Sequence, residues 1–220
     1  MAEGFELEKQ AVLGSDFRLG VSQELTKYWK KQFNYQREEH VVVPCTLNKA
    51  FLENDYKPES IKQWKVERGY APNYVVVIYS GSAAGWQSLK IVDTFLSDLM
   101  AKQDNIHVLF LSRIDLEELS CYQSYPNRVK KDWLKPSDVF KVLSIGDYGM
   151  LIRERSVTNQ VASPTKFAEY LAAGLKVLIS PEIGDFSTLV ANQALGYVIE
   201  GQSSLDSLPP IGIDQKQQLR

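Results

Sequence analysis

The sequence predicts an α/β protein built on a doubly wound parallel sheet with helices on both faces. From about residue 73, short runs rich in β-branched residues alternate with longer segments of helical periodicity. The first run, residues 74–79, is almost continuously apolar, as is typical of a strand buried on both faces. Because strands that alternate with helices form βαβ units with right-handed crossovers, this order favours an open parallel sheet.

Six strands are predicted in this region, at residues 74–79, 106–111, 128–131, 148–152, 176–179 and 197–199. The segments between them carry apolar residues at helical spacing. The first stripe consists of Trp86, Leu89, Val92, Phe95, Leu96 and Leu99. Further helices are predicted at residues 115–123, 136–143, 164–173 and 186–193. Pro136 and Pro164 suit first turns, and Gly174 suits the end of a helix.

The regions on either side do not continue this alternation. Strand-like runs at residues 16–21 and 40–44 flank a helix whose apolar face carries Leu25, Tyr28, Trp29 and Phe33. Residues 203–220 are rich in Ser, Pro and Gln, which predicts a loosely packed tail. The expected division is therefore an amino-terminal part at 1–55, a connector at 56–72, the α/β body at 73–202 and the tail at 203–220.

The composition argues against several classes of function. A formal net charge of −2 argues against nucleic-acid binding, which normally needs a basic face. The longest apolar runs have the length of a strand, so no membrane-spanning segment is predicted. The amino terminus lacks the basic-then-apolar order of a signal peptide. We therefore expect a cytoplasmic protein, with the inner face of the membrane as the alternative location.

The cysteines and histidines do not predict a metal site. Cys45 and Cys121 lack metal-ligand spacing, and we expect both to be reduced residues with a packing role. His40 and His107 adjoin apolar strands, where a structural role is expected.

Three segments follow predicted strands, and ligands of open parallel sheets bind beyond the carboxyl ends of the strands. The first segment is Ser80-Gly-Ser-Ala-Ala-Gly85, whose small residues would let an anion approach the backbone N–H groups. Its spacing matches neither the dinucleotide fingerprint nor the P-loop. A tight turn without a ligand is therefore the alternative.

The second segment, residues 163–174, is the most informative. Ser163 suits a helix cap, and the free N–H groups of Thr165 and Lys166 would face a phosphate beside the Lys166 charge. Glu169 falls on the same helix face, where its carboxylate would accept hydrogen bonds from a ribose diol. The alternative is a well-capped core helix with a surface Lys–Glu pair.

The third segment is Arg153-Glu-Arg155, directly after the fourth strand. An arginine at this position would reach a diphosphate and neutralise charge on a leaving group. Solvated loop charges are the alternative.

Two of these runs resemble a known family. Asp147-Tyr-Gly-Met-Leu-Ile-Arg153 and Ser163-Pro-Thr-Lys-Phe-Ala-Glu-Tyr-Leu-Ala-Ala-Gly-Leu-Lys-Val177 resemble the C-terminal domain of the family-four (group 1) glycosyltransferases, which include enzymes of bacterial surface-polysaccharide synthesis. Tyr79-Ser-Gly-Ser82 is similar to the first strand and glycine loop of that domain. Residues 15–22 and 41–44 resemble the end of the family's N-terminal domain and its crossover.

The resemblance implies two facing Rossmann-like domains and a retaining, metal-independent transfer of a sugar, without a cofactor. The donor would be a nucleotide diphosphate sugar, and the acceptor a saccharide or lipid-linked saccharide bound by the other domain. Residues 1–55 would be a remnant of that acceptor domain. By the same resemblance, the diphosphate would contact Gly81, Ser82, Ser163, Thr165 and Lys166, the ribose Glu169, and the nucleobase Leu134, Lys135 and Val139.

The chain also departs from the family. A second glutamate that often lies eight residues before the ribose-binding one is Val161 here. The usual basic pair of the glycine loop has no evident counterpart, and Arg153 would substitute for it. The chain starts where the acceptor domain should be finishing and stops before the usual terminal helix. We therefore expect a fragment that binds a nucleotide sugar weakly and transfers nothing alone.

Three other interpretations stay open. A sugar-nucleotide epimerase shares this architecture but needs acid/base residues beside the sugar, which Val161 and the scarce histidines do not favour. A non-catalytic nucleotide-binding α/β module is the second. The basic helix around Lys27–Phe33 would also suit peripheral membrane association, although we expect its aromatic residues to pack against protein.

Overall fold

The computed structural model describes residues 2–53, 57–81, 88–200 and 205–220. Two short strands, β1 (Arg18–Gly20) and β2 (His40–Val42), form a separate parallel sheet. The main sheet consists of β3 (Val75–Ser80), β4 (Ile106–Leu111), β5 (Val129–Asp132), β6 (Tyr148–Leu151), β7 (Lys176–Ile179) and β8 (Gly196–Val198). Its order in space is β5-β4-β3-β6-β7-β8, with every neighbouring pair parallel. This arrangement confirms the doubly wound parallel sheet.

The helices of the described residues are α1 (Ala2–Gly14), α2 (Gln23–Phe33), α3 (Lys49–Leu52), α4 (Pro58–Glu67), α5 (Leu89–Lys102), α6 (Ser120–Ser124), α7 (Pro136–Ser144), α8 (Val157–Gln160), α9 (Thr165–Ala172), α10 (Phe186–Gln193) and α11 (Ile213–Leu219). Short 3-10 turns cover Leu116–Glu118 and Pro126–Arg128. Within the described ranges, no helix is both long and apolar enough to cross a membrane.

One predicted helix is wrong. Residues 115–123 form a 3-10 turn followed by α6, because Leu119 between them is extended, with φ −94° and ψ 128°. The carboxylate of Asp93 accepts hydrogen bonds from the N–H groups of Ser120 and Cys121, both at 2.9 Å. This long-range cap starts a new helix at Ser120.

Side chains of β3 alternate between two hydrophobic cores, one on each face of the sheet. Val75, Val77 and Tyr79 pack against α5, and Val76 and Ile78 pack on the opposite face. The α5 face also receives Cys121 of α6, whereas α4, α7, α9 and α10 supply side chains to the other face. All six residues of β3 are buried, as its continuous apolar run predicted.

The amino-terminal segment is a small unit with its own core. Trp29 and Phe33 of α2 are buried with Val12 of α1 and with Tyr35. Phe5 contacts the ring of Phe33 edge-on, with ring centroids 5.2 Å apart. Trp29 and Phe33 of α2 therefore pack against protein, as expected.

The expectation of a loosely packed tail is wrong for residues 205–220. Leu208 and Ile211 are buried, and Ile211 donates its N–H to the carboxylate of Asp147 at 3.0 Å. Lys216 of α11 is also buried, and its ammonium donates to the backbone carbonyls of Ser144, Gly146 and Gly174. These contacts, which a polar composition does not reveal, hold the segment against the amino ends of the strands.

Candidate functional site

The strand order reverses between β3 and β6, and open α/β sheets bind ligands at such a point. Backbone pairing of these strands covers Val77 with Tyr148 and Ile78 with Gly149. Beyond those pairs, β3 leads to Gly81 and β6 leads to Arg153, and both are predicted site residues. The structure therefore places Gly81 and Arg153 on the two sides of the crevice. Ser82 lies outside the described residues.

The phenol of Tyr170 separates the two strands where their pairing ends. Its oxygen accepts a hydrogen bond from the N–H of Ser80 at 3.1 Å and donates to the carbonyl of Met150 at 3.3 Å. Gly149 makes room for the ring, because a Cβ at that position would overlap it. Burial raises the pKa of Tyr170, so the hydroxyl stays protonated and bridges both strands.

Arg153 is held by two contacts at the end of β6. Its N–H donates to the hydroxyl of Ser180 at 2.8 Å, and its guanidinium donates to the side-chain oxygen of Asn159 at 3.3 Å. Asn159 is fully buried and donates in turn to the carbonyl of Glu154 at 3.0 Å. Burial lowers the pKa of Arg153, while the nearby phenols of Tyr170 and Tyr79 raise it. The guanidinium remains a cation at physiological pH.

A cleft of about 470 Å³ lies along the carboxyl ends of β6, β7 and β8. Its polar lining includes Arg153, Glu154, Arg155, Ser180 and Glu182, and its apolar wall includes Phe95 of α5. Arg155 and Glu182 form an ion pair across it at 2.8 Å. The cleft has the concave shape and mixed lining that small-molecule sites require.

The start of α9 differs from the prediction in one respect. The helix begins at Thr165, and Ser163 does not cap it. The Ser163 hydroxyl instead accepts a hydrogen bond from the N–H of Cys45 at 2.9 Å, which ties the crossover after β2 to this helix. Thr165 is exposed. Gly174, with φ +77°, follows the helix end as predicted.

Lys166 and Glu169 form an ion pair with each other, with Nζ and Oε2 2.6 Å apart. Lys166 keeps about a third of its side chain exposed and Glu169 15%. Lys166 also lies four residues before Tyr170 and hence on the same helix face. Because helices of βαβ units run antiparallel to the strands, the amino end of α9 points to the carboxyl edge of the sheet, where the crevice opens. A diphosphate and a ribose would have to replace this internal pair.

The segment predicted to flank a nucleobase follows β5. Leu134 and Val139 are half-buried against the core on the α9 face, and Lys135 is exposed. The residue before them, Trp133, is 60% exposed, and the guanidinium of Arg113 lies 4.2 Å from the centre of its ring. β5 lies two strands from β3, roughly 10 Å away at the usual strand spacing.

One buried hydroxyl at the carboxyl edge of the sheet has no hydrogen-bond partner among the described residues. It belongs to Ser112, directly after β4. Sequence reasoning missed Ser112, Trp133, Asn159 and Tyr170. A tryptophan two residues after the predicted strand at 128–131 was the one signal that could have drawn attention to this edge.

The histidines and cysteines take mostly structural positions. His107 stacks on Tyr74, with ring centroids 3.9 Å apart, and burial lowers its pKa to about 4. His40 shares a hydrogen bond with the hydroxyl of Tyr35. Cys121 is buried, as expected, but Cys45 is exposed, so the packing role predicted for it is wrong. Cys45 lies at the surface, and its backbone N–H is bonded to the hydroxyl of Ser163, just before α9.

The amino-terminal unit meets the body through the start of α2. The carboxylate of Asp185, just before α10, accepts hydrogen bonds from the N–H groups of Gln23 at 2.7 Å and Glu24 at 3.1 Å. The hydroxyl of Ser22 accepts from Leu25 N–H and donates to the carbonyl of Val161. The start of α2 is thus capped by its own Ser22 and also by Asp185 of the other unit.

No protein-family model matches the sequence, and no curated protein matches it significantly. Solved structures do match. WaaG, a glycosyltransferase involved in lipopolysaccharide biosynthesis, superposes with a TM-score of 0.66 at 15% identity over 91% of this chain and 50% of its own. A glycosyltransferase from Rickettsia africae gives a TM-score of 0.61 at 13% identity, covering 93% and 54%. HepE from Anabaena, in complex with UDP, gives 0.61 at 15% identity, covering 86% and 51%.

The chain thus spans about half the length of the solved structures that it matches. At these identities the likeness is one of fold. The chain has a Rossmann-like fold that it shares with about half of each of these glycosyltransferases.

Proposed function

We propose that this chain is the donor-binding part of a glycosyltransferase and holds a nucleotide diphosphate sugar at the crevice between β3 and β6. The observation that carries the proposal is the grouping at that crevice. The Arg153 cation, the end of β3 just before Gly81 and the helix that carries Lys166 and Glu169 meet around the phenol of Tyr170. Cations and free helix N–H groups bind diphosphates, and a carboxylate one turn further along the helix suits a ribose diol.

In this proposal the site residues keep the roles that the resemblance implies. Gly81, Ser82, Ser163, Thr165 and Lys166 lie at the diphosphate, and Glu169 at the ribose. Ser163 contributes through its backbone, because its hydroxyl is engaged with Cys45. Leu134, Lys135 and Val139 flank the base, with Trp133 at the rim of the same segment.

The chemistry proposed for Arg153 is stabilisation of the departing diphosphate. Charge that develops on the leaving group is best stabilised by donors already in position, and contacts with Asn159 and Ser180 hold Arg153 in place. No general base is required of this part of the molecule. Retention at the anomeric carbon, independence of metal ions and a saccharide or lipid-linked acceptor belong to the same proposal.

The domain division is also part of the proposal. Residues 73–202 form the donor-binding body, 56–72 a connector whose helix α4 packs on it, and 1–55 part of an acceptor domain. Residues 205–220 are attached to the body by their buried contacts. We place the protein in the cytoplasm, in synthesis of a surface polysaccharide.

Calorimetric titration with UDP, GDP, ADP and CDP, followed by the matching nucleotide sugars, tests the proposal. The UDP bound to HepE makes UDP the first ligand to try. We expect one diphosphate to bind selectively, with its nucleotide sugar binding at least as tightly. Nucleotide binding that does not respond to the sugar would identify a non-catalytic nucleotide-binding module instead. An absence of binding at millimolar concentration would contradict the proposal for this chain.

A further inference from the structure

A second concave surface lies at the opposite edge of the sheet from the crevice. This groove has a volume of about 640 Å³. One wall is α4 and the other is the segment 210–217, with Tyr70, Pro72, Ile145 and Asp147 at its floor. The floor residues directly precede β3 and β6, so the groove sits at the amino ends of the strands. Its volume falls in the range of about 300–1,000 Å³ typical of small-molecule sites.

The α4 wall is one continuous helix face. Pro58, Ile61, Lys62, Lys65 and Val66 line it, at the spacing that places residues on one side of a helix. Val66 leaves 59% of its surface exposed there, whereas Ile61 is buried. On the facing wall, Ile211 is buried and Ile213 half-buried. The groove therefore has an apolar interior with two lysines along its α4 wall.

The buried charges under the groove are already satisfied by protein groups. Asp147 accepts from the N–H groups of Val76 and Ile211 and from the ammonium of Lys65. Lys216 donates to three backbone carbonyls. Asp147 and Lys216 therefore need no ligand as a partner. A ligand in the groove would be bound by the groups nearer its mouth.

Among the lysines of the lining, Lys65 and Lys62 have donor capacity left, and the buried hydroxyl of Tyr70 at the floor has no hydrogen-bond partner among the described residues. The Lys65 ammonium has three N–H bonds and uses contacts to the carbonyl of Tyr74, at 2.7 Å, and to Asp147, at 3.2 Å. Lys62 is exposed, and no carboxylate of the described residues pairs with it. The ionic residues of the lining are Lys62, Lys65, Lys216, Asp147 and Asp214, which leaves one positive charge in excess.

We propose that this groove binds a small amphipathic monoanion, an aliphatic or aromatic carboxylate. Its apolar body lies against Ile61, Val66 and Ile213, and its carboxylate lies between Lys62 and Lys65. The single excess positive charge selects one negative charge, and the apolar walls select a body without polar groups. The site is separate from the crevice and does not depend on the function proposed there.

Fluorescence of 8-anilinonaphthalene-1-sulfonate, an amphipathic anion, tests the proposal on the folded chain. We expect one probe molecule per chain, displaced by decanoate at least about tenfold more effectively than by 1-decanol, because the neutral alcohol lacks the charge. Probe binding at many weak sites, or equal displacement by the alcohol, would overturn the proposal.

Two variants locate the site. Lys62→Glu places a like charge beside the carboxylate and should weaken decanoate binding by about tenfold or more. Val66→Asp, also at an exposed position, should do the same by removing apolar contact. Lys90→Glu is the matched control, an identical charge change at an exposed residue of α5 on the other face of the sheet. Equal affinities of the Lys62 and Lys90 variants, with unchanged urea midpoints for both, would show that the anion binds elsewhere.

Discussion

The hydroxyl of Tyr170 accepts a hydrogen bond from the N–H of Ser80 and donates one to the carbonyl of Met150. It therefore bridges two backbone groups that do not pair directly, one on each of two neighbouring strands. One oxygen atom thus holds β3 and β6 apart at the reversal of the sheet. The crevice is therefore set by contacts within the fold.

Tyr170→Phe should therefore affect both stability and binding. Loss of the hydroxyl leaves a buried N–H and C=O without their partner, which should lower the free energy of unfolding by about 1–3 kcal/mol in urea denaturation. Relaxation of the two strands toward each other should also weaken UDP binding. Tyr148→Phe is the control, because that buried phenol bonds to the carbonyl of Pro209 at the other end of the sheet. Equal UDP affinities of the two variants would show that Tyr170 supports only the fold.

Glu169→Ala should separate the ribose from the diphosphate. We expect UDP affinity to fall by about 1.5–3 kcal/mol, the range for hydrogen bonds to charged groups. Inorganic diphosphate should bind as well as before or better, because Lys166 is released from its pair. Glu24→Ala is the matched control, since Glu24 pairs with Lys27 at the same 2.6 Å and the same sequence spacing. Equal losses for both ligands would remove the ribose assignment.

Lys166→Ala should act on the diphosphate itself. A charged donor at the helix start would be lost, so UDP and inorganic diphosphate should both bind more weakly, by about 1–3 kcal/mol. Calorimetry with the two ligands measures this. Retention of inorganic diphosphate affinity would place the phosphates away from α9.

Asp185→Ala should loosen the amino-terminal unit. Removal of the carboxylate leaves the N–H groups of Gln23 and Glu24 uncapped, at a cost of about 0.5–2 kcal/mol. Hydrogen exchange should increase in α2 more than in β3. Asp206→Ala, at a fully exposed carboxylate, provides the comparison. Uniform exchange in both variants would mean that the two units are held together by other contacts.

Lys216 should give the stability a distinctive pH dependence. Burial lowers its pKa from 10.5 to about 8, so between these values the unfolded chain binds more protons than the folded one. Stability from this group therefore rises with pH across that window, by at most about 1.4 kcal/mol per pH unit. Relative to Lys216→Met, the wild-type chain should gain stability between pH 7.5 and 10 in urea denaturation. Parallel curves for the two proteins would contradict the assignment.

Much of the fold could be predicted from local patterns. Residues 176–179 and 186–193 were predicted with the observed bounds, because apolar runs of strand length and stripes of helical period dominate there. The break at Leu119 was not predicted, since it depends on a cap from Asp93 in another helix. The tail was misjudged for a similar reason, because two buried aliphatic residues and Lys216 outweigh its polar composition.

Only part of the candidate site could be predicted from the sequence. Arg153, Lys166 and Glu169 follow strands or start a helix, so their chemistry and placement can be inferred together. Tyr170 occupies a core position of a helical stripe and looks like packing. Its role depends on which strands lie side by side, and that order is set by the whole fold.

The carboxylate of Asp147 joins the helix before the first strand of the main sheet, through Lys65, to the segment after the last strand, through Ile211. The two segments that flank the α/β body therefore share contacts with one buried carboxylate. Unfolding of either segment would leave the buried carboxylate of Asp147 without one of its partners. We therefore expect α4, the start of β6 and the last residues to unfold in a single cooperative step. A truncation that removes the carboxyl-terminal segment with Ile211 would therefore destabilise α4 as well.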